Sequence, residues 1–217
     1  LEGRRALHDD RTWCFFADGT EDVPVRTRFD RVAVRQGGRT RTLNTAHRPY
    51  ACVRGGTFAR DTLTRLRQAP HIRLRFHAPV RGVEAEGAHV AVTLVSGERI
   101  DAARVFDSRP LRGPTPQGLW QHFEGWFVRF ARPCLDTRTA MLMDFAPPRR
   151  DAVRFIYRLP FSENTALFEN TYFSPAPKTQ DDQDALLEAA VRQHAPGVPY
   201  RIERKERGVL PMQPGFG

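Results

Sequence analysis

A single acid, Glu169, interrupts the apolar and aromatic stretch ALFENTYFS at 166–174. In an extended chain successive side chains alternate faces, so Leu167, Glu169, Thr171 and Phe173 share one side and Phe168, Asn170 and Tyr172 the other. An exposed glutamate, with a pKa near ~4.3, has no proton to give at neutral pH. Packing against Leu167 and Phe173 away from water disfavours the charged form, and a carboxyl that keeps its proton can serve as a general acid. Trp126, Phe168, Tyr172 and Phe173, with Phe123, Phe127 and Phe130, supply ring faces for a cation formed by such a proton transfer. Each face is worth ~0.5 to 2 kcal/mol where water is excluded. The structural alternative is an ion pair between Glu169 and Arg154 or Arg158, with the aromatics serving as core.

These residues require a sheet to hold them. The segments GWFVRFARP, TAMLMDF, VRFIYRLPFS and ALFENTYFS read as four strands with short polar connections, which is most simply an antiparallel sheet covered on one face. The run DDQDALLEAAVRQHA follows as a helix, with aspartates at its positive end and Arg192 and His194 near its negative end. Earlier in the chain, RFDRVAVRQ and RTRTLNT form a hairpin across Gly37-Gly38. The spacing of Phe58, Leu63 and Leu66 predicts a helix with Thr57 as N-cap and Pro70 beyond its end. Three β segments between 72 and 110 complete a sheet, a helix and a β-meander. Proline and glycine cluster from Pro110 to Gly118 and mark a crossover between domains. The chain opens abruptly and closes in GVLPMQPGFG, read as having no terminal helix or strand, so it is expected to be a piece of a longer protein.

The net charge of +9 comes from arginine, since only Lys178 and Lys205 are lysines. No nucleic-acid motif accompanies it, so nucleic acid is not an expected partner. An anionic membrane surface is the better one, at roughly 1 kcal/mol per basic residue near the headgroups. No run approaches the ~18 apolar residues of a membrane span and no signal segment opens the chain, so a cytoplasmic location with peripheral membrane attachment is expected. Cys14, Cys52 and Cys134 lack a CxxC pair and companion histidines at metal spacing, and read as reduced, mostly buried thiols with no metal site.

Three segments together resemble the flavoprotein lycopene β-cyclases of bacterial type: RTWCFF at 11–16, QHFEGWFVRF with TAMLMDF across 121–145, and FIYRLPFS with ALFENTYFS across 155–174, supported by GVLP at 208–211. The resemblance implies an α/β fold: a Rossmann-like FAD-binding domain at 1–112 that lacks its first strand and glycine-rich loop, an antiparallel substrate domain with its helix at 113–200, and the start of a return to the FAD domain at 201–217. It implies FAD in its reduced form, with NAD(P)H as a reductant, and the cyclisation of lycopene or related carotenes to β-ionone rings with no net redox change. Glu2 matches the acid that holds the adenosine ribose, Arg54 the arginine near the cofactor phosphates, and Asp107 the end of the strand that returns to the flavin. Glu169 matches the proton donor. Two positions depart from the family pattern: Asn170 stands where a second acid is usual and Phe127 where relatives often carry Glu, which leaves Asp144 as the nearest acid to remove the ring proton. The fragment alone is expected to be inactive. A flavin monooxygenase or prenyl-lipid reductase of the same fold, and a non-catalytic remnant, are the alternative readings.

Overall fold

The computed structural model describes residues 2, 9, 11–109, 118–145, 152–177 and 179–212. The chain divides into two units, residues 1–9 with 55–113 and residues 10–54 with 114–217. The boundary expected near 112 is close to one of these divisions. Residues 10–54, however, group with the later sheet rather than with residues 55–113.

In the first unit, α1 (Gly55–Gln68) starts two residues before the expected cap at Thr57, and the meander β6 (Val80–Glu86), β7 (His89–Leu94), β8 (Arg99–Ala102) forms a three-stranded antiparallel sheet. Alternation places Val92 and Leu94 of β7 inward, where they pack with Ala78, Val80, Val83 and Ile100. Residues 72–79 precede this sheet without forming a strand themselves. Glu2 is nonetheless docked on them: its N–H donates to the Arg75 carbonyl at 2.8 Å, and its carbonyl accepts from Ala78 N–H at 3.1 Å.

The second unit is built on seven strands: β3 (Arg31–Gln36), β4 (Arg39–Asn44), β9 (Leu119–Phe130), β10 (Thr139–Phe145), β11 (Val153–Ser162), β12 (Thr165–Ser174) and β13 (Tyr200–Met212). Their spatial order is β13-β9-β12-β11-β10-β3-β4. The expected antiparallel strands are its centre, and the β3–β4 hairpin closes at Gly37-Gly38, both with positive φ. The hairpin joins the edge of β10 in parallel, through pairs such as Ala140 with Val32.

The end of the chain corrects the expectation of no closing element. β13 is a 13-residue edge strand that pairs antiparallel with β9 along its length. Its run of charged residues hides it from hydropathy, and Pro211, which lacks an N–H to donate, is tolerated because the strand lies at the edge.

Both faces of this sheet are covered. The helix α2 (Gln180–His194), with Thr179 as N-cap, packs Leu187 and Val191 onto Trp126, Val128, Phe130 and Phe168. On the opposite face lies a three-stranded sheet of β1 (Thr12–Phe16), β5 (Tyr50–Arg54) and β2 (Thr27–Phe29), whose Phe29 and Cys52 pack with Phe127, Leu159 and Leu167. The two cores lie on opposite sides of one sheet because the strand period is two. Each β12 residue therefore belongs to one core or the other.

Candidate functional site

Glu169 lies in the middle of β12 on the face covered by the small sheet. Its neighbours in register are Tyr157 on β11 and Gly125 on β9, and Gly125 in turn faces Glu206 on β13. A row of four strands thus presents tyrosine, carboxyl, glycine and carboxyl side by side.

Gly125 controls the approach of the two acids. A Cβ there would lie 3.1 Å from Glu206 Cγ, 3.0 Å from Leu167 Cδ1 and 3.6 Å from Glu169 Oε2. The space an alanine would fill is therefore bordered by both acidic side chains.

Thr171 Oγ1 donates to Glu169 Oε1 at 2.9 Å. The arginines considered as ion-pair partners are elsewhere. Arg154 and Arg158 register with Tyr172 and Phe168, on the other face, and Arg158 is hydrogen-bonded to His194 Nδ1 at 2.8 Å. Burial raises the Glu169 carboxyl from its ordinary 4.5 to about 8; the Thr171 hydroxyl opposes the shift, and the charge of Glu206 adds to it. Glu169 consequently holds its proton at neutral pH and can donate it.

Glu206 is 6% exposed, and its carboxyl too is raised by burial, against the pull of Arg204. Its Oε2 accepts from Thr12 Oγ1 at 3.2 Å and from Arg204 Nη2 at 3.1 Å. Sequence reading missed this residue, because RIERKERG looks like a solvated charged run. The usable signal is parity: two residues before Gly208, Glu206 alternates inward with Arg204 if 200–212 is a strand.

Further along the same face, Thr171 is flanked in register by Phe123 on β9 and Phe155 on β11. Phe155 contacts both Phe145 and Phe173, with ring centroids 5.7 and 6.4 Å apart. The Phe123 ring lies where a Cβ on Gly208 would be, 2.6 Å from Cε1, so a side chain there would displace the ring. Phe123, Phe145 and Phe173 are half-buried, which leaves an aromatic surface beside the acid.

Of the expected substrate contacts, Phe173 shares this face. Trp126, Phe168 and Tyr172 do not: each is at most 6% exposed on the α2 side, Trp126 and Phe168 in the α2 core and Tyr172 stacked on His122. The alternation that brings Glu169 inward on one face sends them to the other. Asp144 is also corrected as a partner of Glu169. It registers with Ile156, which registers with Asn170, so it lies on the α2 face, and Arg35 binds it through two hydrogen bonds, Nε to Oδ1 at 2.6 Å and Nη2 to Oδ2. Phe127, at the position where the family pattern has Glu, carries the Arg204 guanidinium 3.8 Å from its ring centre.

The residues assigned to a flavin fall in both units. Glu2 is held at its backbone by Arg75 and Ala78, and Arg54 is a half-buried residue ending β5, immediately before the buried glycines that open α1. Each is of the residue type its expected contact needs, a carboxylate for a ribose hydroxyl and a guanidinium for a phosphate. Asp107 fits less well, because Arg109 holds its carboxylate at 2.7 Å and keeps its pKa near 2. Cys14 and Cys52 face each other across β1 and β5 as free thiols, and no metal-binding cluster occurs among the described residues.

With this geometry in place, the comparison with known proteins is decisive. The profile of the family described as Lycopene cyclase protein matches residues 3–216. The chain belongs to the lycopene cyclase family. It is 35% identical over 144 residues to a lycopene beta-cyclase of Paracoccus sp. (strain N81106 / MBIC 01143), covering 64% of this chain and 35% of that one. A lycopene beta-cyclase of Pseudescherichia vulneris is 33% identical over 125 residues, covering 56% and 32%. The aligned part is thus about a third of the length of these curated relatives. Among solved structures, a geranylgeranyl bacteriochlorophyll reductase-like protein from Thermoplasma acidophilum superposes with a TM-score of 0.63 at 13% identity, over 97% of this chain and 57% of that one. A HpxO variant of Klebsiella pneumoniae complexed with FAD gives 0.53 at 15% identity, over 85% and 53%. The α/β fold of the flavoproteins is therefore that of this lycopene cyclase family member.

The raised carboxyl has a consequence for stability. Between pH 4.5 and 8 the native state keeps a proton on Glu169 that the unfolded chain has released, so this group's contribution to stability is present below 4.5 and is lost as pH rises to 8. Glu169→Gln removes that dependence. Denaturant unfolding should show equal stability for the two proteins at acid pH and a variant more stable by about 1 to 4 kcal/mol above pH 8; a difference that does not change with pH contradicts the raised carboxyl.

Proposed function

We propose that this chain carries the acid-donating part of a lycopene cyclase, and that Glu169 protonates the terminal double bond of lycopene. The observation that supports this most directly is a glutamate on a covered sheet face, hydrogen-bonded to Thr171 and held in its protonated form at neutral pH. Protonation leaves a cation on the substrate; attack by a neighbouring double bond closes the ring; loss of a ring proton gives the β-ionone product. One proton enters and one leaves, so the product is an isomer and no net redox change occurs.

The chain's own residues provide three things for this sequence. Burial keeps the proton on Glu169 until an alkene accepts it. Phe123, Phe155 and Phe173 line the same face beyond Thr171, where ring faces stabilise the cation and exclude water. The resemblance implies FAD as cofactor, and matches Glu2 to a ribose contact and Arg54 to a phosphate contact. When bound in reduced form, the flavin would supply a negative charge that favours a nearby cation. The superposition on an FAD-complexed flavoprotein supports the same cofactor.

In the full-length protein supplied with reduced flavin, Glu169→Gln keeps the shape of the side chain and removes its acid. Conversion of lycopene to cyclic products should fall by at least the ~100-fold typical of a lost general acid, with flavin content unchanged. Near-normal product formation would remove Glu169 from the mechanism.

Lycopene is insoluble in water, so the enzyme must take it from a bilayer. No helix among the described residues is long and apolar enough to cross a membrane. We infer reversible docking of the arginine-rich surface on anionic lipid at the cytoplasmic face. In flotation assays the full-length protein should bind anionic vesicles and release with added salt; salt-insensitive binding to neutral vesicles would point to an inserted apolar element instead.

A further inference from the structure

The carboxyl of Glu206 has no role in the reading above, although it is one of the most deeply buried acids in the second unit and lies on the face of Glu169. Two acids on one covered face are costly unless their proximity does something, since each charge raises the cost of the other. The fold brings them near each other by placing a glycine on the strand between them, and both side chains border the space above Gly125. We propose that Glu206 is a positioning residue whose negative charge, acting across Gly125, holds the proton on Glu169 until substrate is present. The proposal rests on the reading of Glu169 as the proton donor.

Burial raises both carboxyls, but the hydrogen-bond donors and cations around the pair favour the charged form at Glu206 rather than at Glu169. Glu206 Oε2 accepts from Thr12 Oγ1 on β1 and from the Arg204 guanidinium on its own strand, both of which favour an ionised carboxyl. Arg11, preceding β1, adds a further cationic influence on Glu206. Glu169 receives the hydroxyl of Thr171. Its other titratable neighbours are Tyr157 on β11, which donates to Tyr50 Oη on β5 at 2.8 Å, and the thiols Cys14 on β1 and Cys52 on β5. Arg54 on β5 and Arg204 both lie over Phe127, at 5.9 and 3.8 Å from its ring centre. Burial and the anion of Glu206 favour the protonated form of Glu169, and only the Thr171 hydroxyl is set against them. Arg204 therefore pairs with Glu206, while Glu169 is left with hydroxyls, thiols and a neighbouring negative charge.

The test reads the Glu169 carboxyl itself, without turnover. In the full-length protein the infrared carbonyl band of protonated Glu169 is assigned by its loss in Glu169→Gln and followed through a pH titration. Glu206→Gln should lower the midpoint of that band by about one pH unit, the size expected for removing one nearby like charge, and Glu206→Asp, which keeps the charge, should restore it. Should Glu206→Gln fail to fold, Glu206→Ala must move the midpoint in the same direction. A midpoint that neutral substitution leaves in place, or that Glu206→Asp lowers as far as Glu206→Gln does, would overturn the proposal. Failure of the donor reading is separate and shows as cyclisation that survives Glu169→Gln.

Discussion

The site depends on the desolvation of one carboxyl. Glu169 would be an ordinary ionised surface acid if β12 had one face open to water, and its chemistry then would be that of a base or a salt-bridge partner. The sheet β1-β5-β2 prevents this by covering that face, with Leu167 and Phe127 buried between the layers. Covering has a second effect. In a low-dielectric setting the charge of Glu206 acts on Glu169 more strongly than it would across water. Burial and the neighbouring charge therefore act in the same direction, and the Thr171 hydroxyl fixes the orientation of the carboxyl while opposing them.

Much of this was legible in the sequence and some of it was not, for reasons that differ by residue. The alternation of ALFENTYFS placed Glu169, Thr171 and Phe173 together, and the structure agrees. The same alternation, followed consistently, separates Trp126, Phe168 and Tyr172 from the acid: pairing with β9 puts Trp126 opposite Phe168, so all three fall on the α2 side. Asp144 was harder. Its face depends on register across two strand pairings, and the β10–β11 pairing shifts between Met141 and Asp144. The sheet covering Glu169 comes from residues 12–54, more than a hundred positions earlier, and short strands such as TRF carry no local signal of what they cover. Glu206 was hidden because an edge strand rich in charge resembles a loop.

The flavoprotein fold supports reductases and monooxygenases as well as this family, so the fold alone does not select a reaction. In the reading proposed above, what separates an acid-catalysed isomerisation from redox chemistry is the state of the proposed proton donor. A protonated carboxyl, an adjoining aromatic surface of Phe123, Phe155 and Phe173, and an anion set back behind a glycine are suited to making and sheltering a cation. None of them is required for hydride or oxygen transfer.

Cyclisation of lycopene by the full-length protein in deuterated water tests this account most directly. A proton delivered from an exchangeable carboxyl adds one deuterium per ring closed, and that deuterium is retained because the proton lost afterwards leaves from a different carbon. The account predicts a product that carries one deuterium for each ring and has the same number of hydrogen positions as lycopene. A product enlarged by two hydrogens or an oxygen, or cyclic product with no deuterium, would contradict it.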